Sequence, residues 1–394
     1  MERLPTRTTQ HWLKMVFLGL CTLLAACAHR PEAPSPSVLL HDEFFADVKP
    51  PAERDQVFAM SEAMRRYADA ELGPITSLRD PRLTLLDALY KHGGLRLSYD
   101  AGNTRNAAQA FEARAGNCMS LVIMTAAFAQ HMGLPVSFQT VQVDETYSRT
   151  GDLLLVSGHV NLVLGRARRH LSVSASGSDD LTVDFLPTEE LRGQRTQPIG
   201  QATVLSMYFN NRAGENLAEG RLSESYAWAR EAVRQDPRFH AAVNTLAVIY
   251  MRSGHLDAAE AALRHVLGQD PDNAGTLSNL MLVLQRGGRQ QEAAAVALQL
   301  AHLQPEAPFQ LFDEGRRAME GGQYAQARDL FARELRRQPY QSEVHFWAAL
   351  ADWRLGDTKR AARHLQAAVE NSLTRSAQQL YAGKLARLRE SQQQ

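Results

Sequence analysis

Five glycines, Gly220, Gly254, Gly288, Gly322 and Gly356, stand 34 residues apart, and Pro237, Pro271, Pro305 and Pro339 keep the same interval. No other feature of the sequence constrains the fold as strongly. A fixed period of this length means that each unit is one small supersecondary structure whose apolar face is buried by its neighbours in a stack. Small residues recur inside the unit where two helices must approach closely: Ala213, Ala247 and Ala349 before the glycine, and Ala259, Ala293, Ala327 and Ala361 after it. The glycine permits a turn conformation that a side chain resists, and the proline stops the second helix. Each unit therefore reads as helix, turn, helix, proline.

These units resemble tetratricopeptide repeats over about 206–370. Ser225 replaces a small alanine, Met281 and Gly315 occupy small-residue positions, and Leu373 stands where a fifth proline would fall. The expected layout is five repeats over 206–373, followed by a capping helix and tail over 374–394 that closes the open end of the stack. The resemblance implies an all-α solenoid with a concave groove that binds a protein partner or substrate. A structural spacer or a self-association surface is the other reading, because a repeat fold alone does not fix function.

The N-terminus has a different grammar. Arg3, Arg7 and Lys14 lead into the uncharged run 15–26, too short for a membrane span and flanked like a signal peptide, so 1–26 is excluded from the fold. Leu24-Ala25-Ala26-Cys27 resembles a bacterial lipobox, which implies cleavage before Cys27 and lipidation of its thiol. Ala28 stands where an aspartate is associated with inner-membrane retention, so the expected location is the cell envelope, periplasm-facing and lipid-anchored at the outer membrane. Residues 27–41, rich in Pro, Ala and Ser, read as a tether. Without 1–26 the chain carries 40 basic and 42 acidic residues, a net charge of −2 with His neutral, which gives no basis for nucleic-acid binding.

The tether is followed by a domain expected over 42–205. Cys118 is its one thiol, and in an oxidising compartment it has no intramolecular partner. A buried small hydrophobe is one role for such a residue, and a nucleophile is the other. Asn117 is a good N-cap, Leu121, Met124, Phe128 and Met132 line one helical face, and Gly133 with Pro135 supplies a stop. Cys118 is thus expected at the first helical position, where unpaired backbone N–H groups favour thiolate over thiol. The stretch 152–166 reads as a strand with His159 and Asn161 on one face and Val160, Leu162 and Leu164 on the other. In 181–187, Leu181, Val183 and Phe185 alternate with Asp184, an acid in mid-strand that suits the orienter of a histidine.

"AFEARAGNCMSLVIMTAAFAQHMGLPV", "SGHVNLVL" and "LTVDF" resemble, respectively, the nucleophile helix, histidine strand and aspartate strand of the transglutaminase-like superfamily of papain-like fold. The resemblance covers about 40–205 and implies an α+β domain with Cys118 as nucleophile, His159 as base and then acid, and Asp184 as orienter. A Ser-rich insertion stretches the His-to-Asp interval to 25 residues, and Asp179 or Asp180 is an alternative acid. The implied chemistry is thiol-dependent acyl transfer on peptide or protein amides, ending in hydrolysis or in transamidation. A catalytically inactive domain in a membrane-tethered adaptor is the alternative. His131 and His170 read as surface or capping residues. No metal-ligand spacing, phosphate loop or dinucleotide fingerprint is present, so no cofactor is expected.

Overall fold

The computed structural model describes residues 36–72, 80–90, 95, 97–100, 103–150, 153–166, 180–185, 195–303, 309–372 and 375–391, with the side chains of 36–37, 98–99, 141–150, 153–159, 195, 375–376 and 391 outside that description. The expected signal peptide, Cys27, Asp179 and His170 also lie outside the described residues. No helix among those described is long and apolar enough to cross a membrane. The chain divides into two units, Met1–His41 and Asp42–Gln394. In the first, the described part of the tether forms a short 3-10 turn, Pro36–Leu39.

The second unit opens with an α+β part. Helices α1 (Glu62–Glu71), α2 (Pro81–Tyr90), α3 (Ala107–Ala113) and α4 (Cys118–His131) accompany two sheets. Strands β1 (Ser98–Tyr99) and β2 (Ala115–Gly116) pair in parallel just before α4. The larger sheet contains β3 (Val136–Thr150), β4 (Leu153–Leu164), β5 (Leu181–Val183) and β6 (Arg195–Ile199), in the antiparallel order β5-β4-β3-β6.

Local signals account for these boundaries. Ser61 caps α1 by accepting from the Met64 N–H. Asn106 and Gln109 form a reciprocal capping box on α3. α4 begins at Cys118 behind the N-cap Asn117, and past its end Gly133 adopts φ 70° while the Leu134 N–H reaches back to the Ala129 carbonyl.

The helix does not bury a single face: every residue from Met119 to Ala129 is buried. Its two polar members are satisfied locally, since Thr125 Oγ1 donates to the Leu121 carbonyl at 2.7 Å and Ser120 is bonded to Asn117. One side of the helix, through Phe128, meets the rings of Tyr67 and Phe111, and another packs on β4, where Val160, Leu162 and Leu164 are fully buried.

The repeats follow as α5 (Gln201–Ala218) with α6 (Leu222–Gln235), α7 (His240–Arg252) with α8 (Leu256–Gln269), α9 (Ala274–Arg286) with α10 (Gln290–Leu303), α11 (Gln310–Glu320) with α12 (Tyr324–Arg337), and α13 (Ser342–Arg354) with α14 (Thr358–Glu370); α15 (Arg375–Ser391) packs on the end. The periodic glycines take φ of 77°, 89°, 74°, 73° and 82° in the five intra-pair turns, the left-handed region that explains their invariance within the chain. β4 also contacts α5, α7 and α9, the first helices of three consecutive pairs, so the α+β part rests against the array itself.

The last pair buries a polar seam. His345 Nε2 donates to the Pro339 carbonyl at 2.8 Å, which leaves Nδ1 of the neutral ring to accept from His364 Nδ1 at 3.0 Å. His364 Nε2 then faces Asp352 Oδ2 at 3.8 Å. The Asp352 side chain is fully buried and neither oxygen has a hydrogen-bond donor. Burial pushes this carboxyl up to about 6, while burial, with His345, Arg360 and Arg363 behind it, holds His364 down to about 4.

The two groups act oppositely. Asp352 favours the fold when protonated, a contribution complete below its unfolded value near 3.8 and lost as pH rises through about 6. His364 favours the fold above 6.5, and this is lost as pH falls through about 4. Asp352→Asn removes only the first effect. It is expected to raise the melting temperature at pH 7.5 and to lose that advantage by pH 4, measured by circular dichroism melts of both proteins; equal gains at both pH values would contradict the assignment.

Candidate functional site

The residues around Cys118 form a hydrogen-bonded frame. Gly116 precedes the helix because a Cβ there would lie 2.6 Å from Ser120 Cβ. Asn117 Oδ1 accepts from the Ser120 N–H at 3.0 Å and from Ser120 Oγ at 2.8 Å. Ser120 Oγ in turn accepts from the Arg105 N–H at 2.8 Å. Asn117 Nδ2 donates to Thr104 Oγ1 at 2.8 Å. The first turn of α4 is therefore held from both sides, with a half-buried free thiol as its first residue.

The frame extends into the repeats. The Thr104 N–H donates to Glu215 Oε1 at 2.6 Å, and Arg212 Nη1 donates to the Thr104 carbonyl at 3.3 Å and to Glu215 Oε2 at 3.2 Å. Both charged residues belong to α5, so the loop behind Cys118 is fixed by the first helix of the array. Burial raises the Glu215 carboxyl, opposed by Arg212 and the Thr104 hydrogen bonds. The sequence reading missed Thr104, Arg212 and Glu215. The link joins positions 111 residues apart and leaves no local pattern, although an acid and an arginine on the first helix after a domain boundary were visible.

His159 lies on β4, paired with Val141 in the register, and its side chain lies outside the described residues. The register breaks immediately beyond that pair: the next partners are Thr146 and Ser157, which leaves extra residues on β3. Such bulges re-aim the strand at sites that need it. Asn161, two residues on, is buried and donates from Nδ2 to Asp184 Oδ2 at 3.0 Å.

Asp184 is not in mid-strand as its alternation predicts. β5 ends at Val183, which pairs with Leu162, and Asp184 follows with its carboxylate held by Asn161 across the end of the ladder. The carboxylate takes the place of the next ladder contact, a side-chain bond replacing a backbone one. Continuing the register by one residue sets Asp184 opposite Asn161 and two residues short of the partner position of His159. Asp180 is exposed at the other end of β5.

Chemically, the arrangement holds a thiol at a helix N-terminus, a histidine on the strand packed against that helix, and an acid beside that strand. A cavity of about 540 Å³, lined by Ser61, Tyr67, Glu71, Leu95, Phe111 and Arg114 among others, includes neither Cys118 nor Asp184. No group of three or more His, Cys, Asp or Glu suited to a metal occurs among the described residues.

The tetratricopeptide repeat family matches residues 216–282 and again residues 312–377. Solved structures similar to this chain include PilF of Pseudomonas aeruginosa, 22% identical over 48% of this chain and 86% of that one with a TM-score of 0.29. YrrB, described as a tetratricopeptide repeat protein with an unusual peptide-binding site, is 17% identical over 46% and 92% with a TM-score of 0.25. A MamA protein is 16% identical over 44% and 93% with a TM-score of 0.25. None of the curated proteins compared matches the chain. The C-terminal half is an all-α tetratricopeptide-repeat solenoid. Repeats of this kind generally bind protein partners or peptides.

Proposed function

We propose that this chain is a cell-envelope lipoprotein, anchored through Cys27, in which a thiol acyl-transfer site works beside a repeat array that binds its protein substrate or partner. The observation that carries the catalytic reading is the Asn161–Asp184 hydrogen bond, which holds the expected acid at the edge of the strand that bears His159. It is supported by the position of Cys118 at the start of the helix packed on that strand. The papain-like resemblance supplies the roles.

In this mechanism the Cys118 thiolate attacks an amide carbonyl, the carbon–nitrogen bond breaks, and the imidazolium of His159 delivers its proton to the departing amine. The thioester left on Cys118 is released by water, which gives an acid, or by a second amine, which gives a new amide. Asp184 orients the imidazole and stabilises its charged form. The Cys118 N–H is a candidate donor to the developing oxyanion.

The test follows alkylation of Cys118 by a small electrophile from pH 5 to 9 in a chain carrying Cys21→Ser and Cys27→Ser, with His159→Ala and Asp184→Ala alongside. An assisted thiol is expected to react at pH 6, with at least a tenfold loss of rate in the His159 variant and a smaller loss in the Asp184 variant. Coincident profiles, or an inert thiol, would sink the catalytic reading and leave a tethered adaptor built around the repeats.

A further inference from the structure

The segment that joins the tether to the α+β part, Asp42-Glu43-Phe44-Phe45, is seated on the repeats. Tyr226 on α6 donates its hydroxyl to Asp42 Oδ1 at 2.7 Å, and Arg230, one turn further along α6 and itself buried, donates to Asp42 Oδ2 at 2.8 Å. The Phe45 ring stacks on Tyr226 with centroids 4.2 Å apart and planes 13° apart. The Phe44 ring stacks on His255, between α7 and α8, at 3.8 Å and 10°, and meets Tyr250 of α7 edge-on at 5.8 Å. An acid is thus read by two donors, and two adjacent aromatic rings by three aromatic partners, all within four residues, the first three of which form a single 3-10 turn, Asp42–Phe44.

This is how a short linear peptide is recognised: a charge-assisted anchor fixes the register, and neighbouring aromatic slots supply area and discrimination. Packing alone does not explain it. The Asp42 side chain stays half exposed, so its carboxylate is placed by its two donors and not by exclusion from water. The Asp42 carboxyl is held below its ordinary range, with Tyr226 and Arg230 outweighing the effect of burial. The slot lies on the α6, α7 and α8 side of the array, whereas β4 rests against α5, α7 and α9.

We propose that Tyr226, Arg230, Tyr250 and His255 form a peptide-recognition slot for the pattern Asp-x-Phe-Phe, that residues 42–45 occupy it in cis, and that a protein partner carrying the same pattern enters by displacing them. The proposal rests on the protein-binding role of the repeats and not on the chemistry of Cys118, so the alkylation profile and the binding test below succeed or fail separately. Displacement frees the segment that leads back to the expected membrane anchor, which couples partner binding to the reach of the tether.

The test is competition in the full chain. A fluorescein-labelled peptide of residues 41–48 is titrated against wild type and against Asp42→Ala/Phe44→Ala/Phe45→Ala, followed by anisotropy. A tethered occupant acts at an effective concentration on the order of millimolar, so the vacated chain is expected to bind the peptide at least tenfold more tightly than wild type. Adding Arg230→Ala to the vacated chain is expected to remove that binding. A vacated chain that keeps its helical circular dichroism but does not take the peptide overturns the proposal, as does binding indifferent to Arg230. Should the triple variant not fold, hydrogen exchange of 41–48 in wild type with excess unlabelled peptide decides the matter: faster exchange supports displacement, and unchanged exchange rules it out.

Discussion

Glu215→Ala is expected to cost about 2–3 kcal/mol of stability, the range for removing one partner from a largely buried, charged hydrogen-bond network. The Glu215 side chain is 17% exposed and that of Arg212 25%, so water compensates only part of the loss. Two groups are stranded together: the Thr104 N–H loses its acceptor, and the Arg212 guanidinium, whose Nε already has no hydrogen bond, keeps only the Thr104 carbonyl and the face of Trp228 at 5.3 Å. Glu215→Gln retains an acceptor for Thr104 but not the charge, and is expected to lose about half as much. Denaturant unfolding followed by circular dichroism measures both. Because Thr104 also receives Asn117 Nδ2, the effect extends to the first turn of α4, and native-state alkylation of Cys118 is expected to change at least threefold in Glu215→Ala. A stability change without any change at Cys118 would show that the interface and the thiol are mechanically independent.

The parts of this architecture that the sequence discloses are those fixed within a few residues. The repeat period is legible because each turn needs a left-handed residue and glycine is the inexpensive one. Asn117, Cys118 and Gly133 are legible because capping is a local negotiation between a side chain and the nearest free N–H or C=O. The burial of α4 is less so: 118–131 is apolar almost throughout, and a search for one face passes over a helix enclosed on every side. Asp184 marks an intermediate case. Its alternation with Val183 and Phe185 is real, but where a strand ends depends on its neighbour, and Asn161 supplies a side-chain partner where backbone pairing stops.

Contacts between distant segments are the least legible. Thr104 meets Glu215, and Asp42 meets Tyr226 and Arg230, across separations of 111, 184 and 188 residues, and no local propensity encodes such a meeting. The Phe44-Phe45 pair did carry a signal, two adjacent aromatics a few residues after a Pro- and Ala-rich stretch. The polar 142–150, by contrast, continues β3: Gln142 pairs with Arg195 of β6, and beyond the register break Thr146–Thr150 pair with β4.

Gly315→Val is expected to destabilise the array by about 3 kcal/mol, at the upper end for overpacking a closed core. A Cβ at Gly315 would lie 2.4 Å from Phe331 Cε1 and 2.8 Å from Cδ1. The Phe331 ring is fully buried and packed against Phe312, so it has nowhere to retreat. The repeat period shows why this pair is matched. Counting back 34 residues, Met281 replaces Gly315 and Ala297 replaces Phe331; the preceding unit has Ala247 with Leu263. Large and small change places between the two helices of a unit, as constant interhelical volume requires. Gly315→Ala should therefore cost about 1–2 kcal/mol, and Phe331→Leu in the same chain should return part of it, a coupling readable in a double-mutant cycle. Gly383 on α15 has open space around its Cβ position, and there the same change to Ala is expected to stabilise by about 0.5–1 kcal/mol. Because stacked repeats depend on their immediate neighbours, a weakened fourth unit should also split the denaturant transition of the array in two, with α13, α14 and α15 unfolding apart from the units before them. A single cooperative transition in Gly315→Val at wild-type midpoint would refute both the matched pair and the nearest-neighbour coupling.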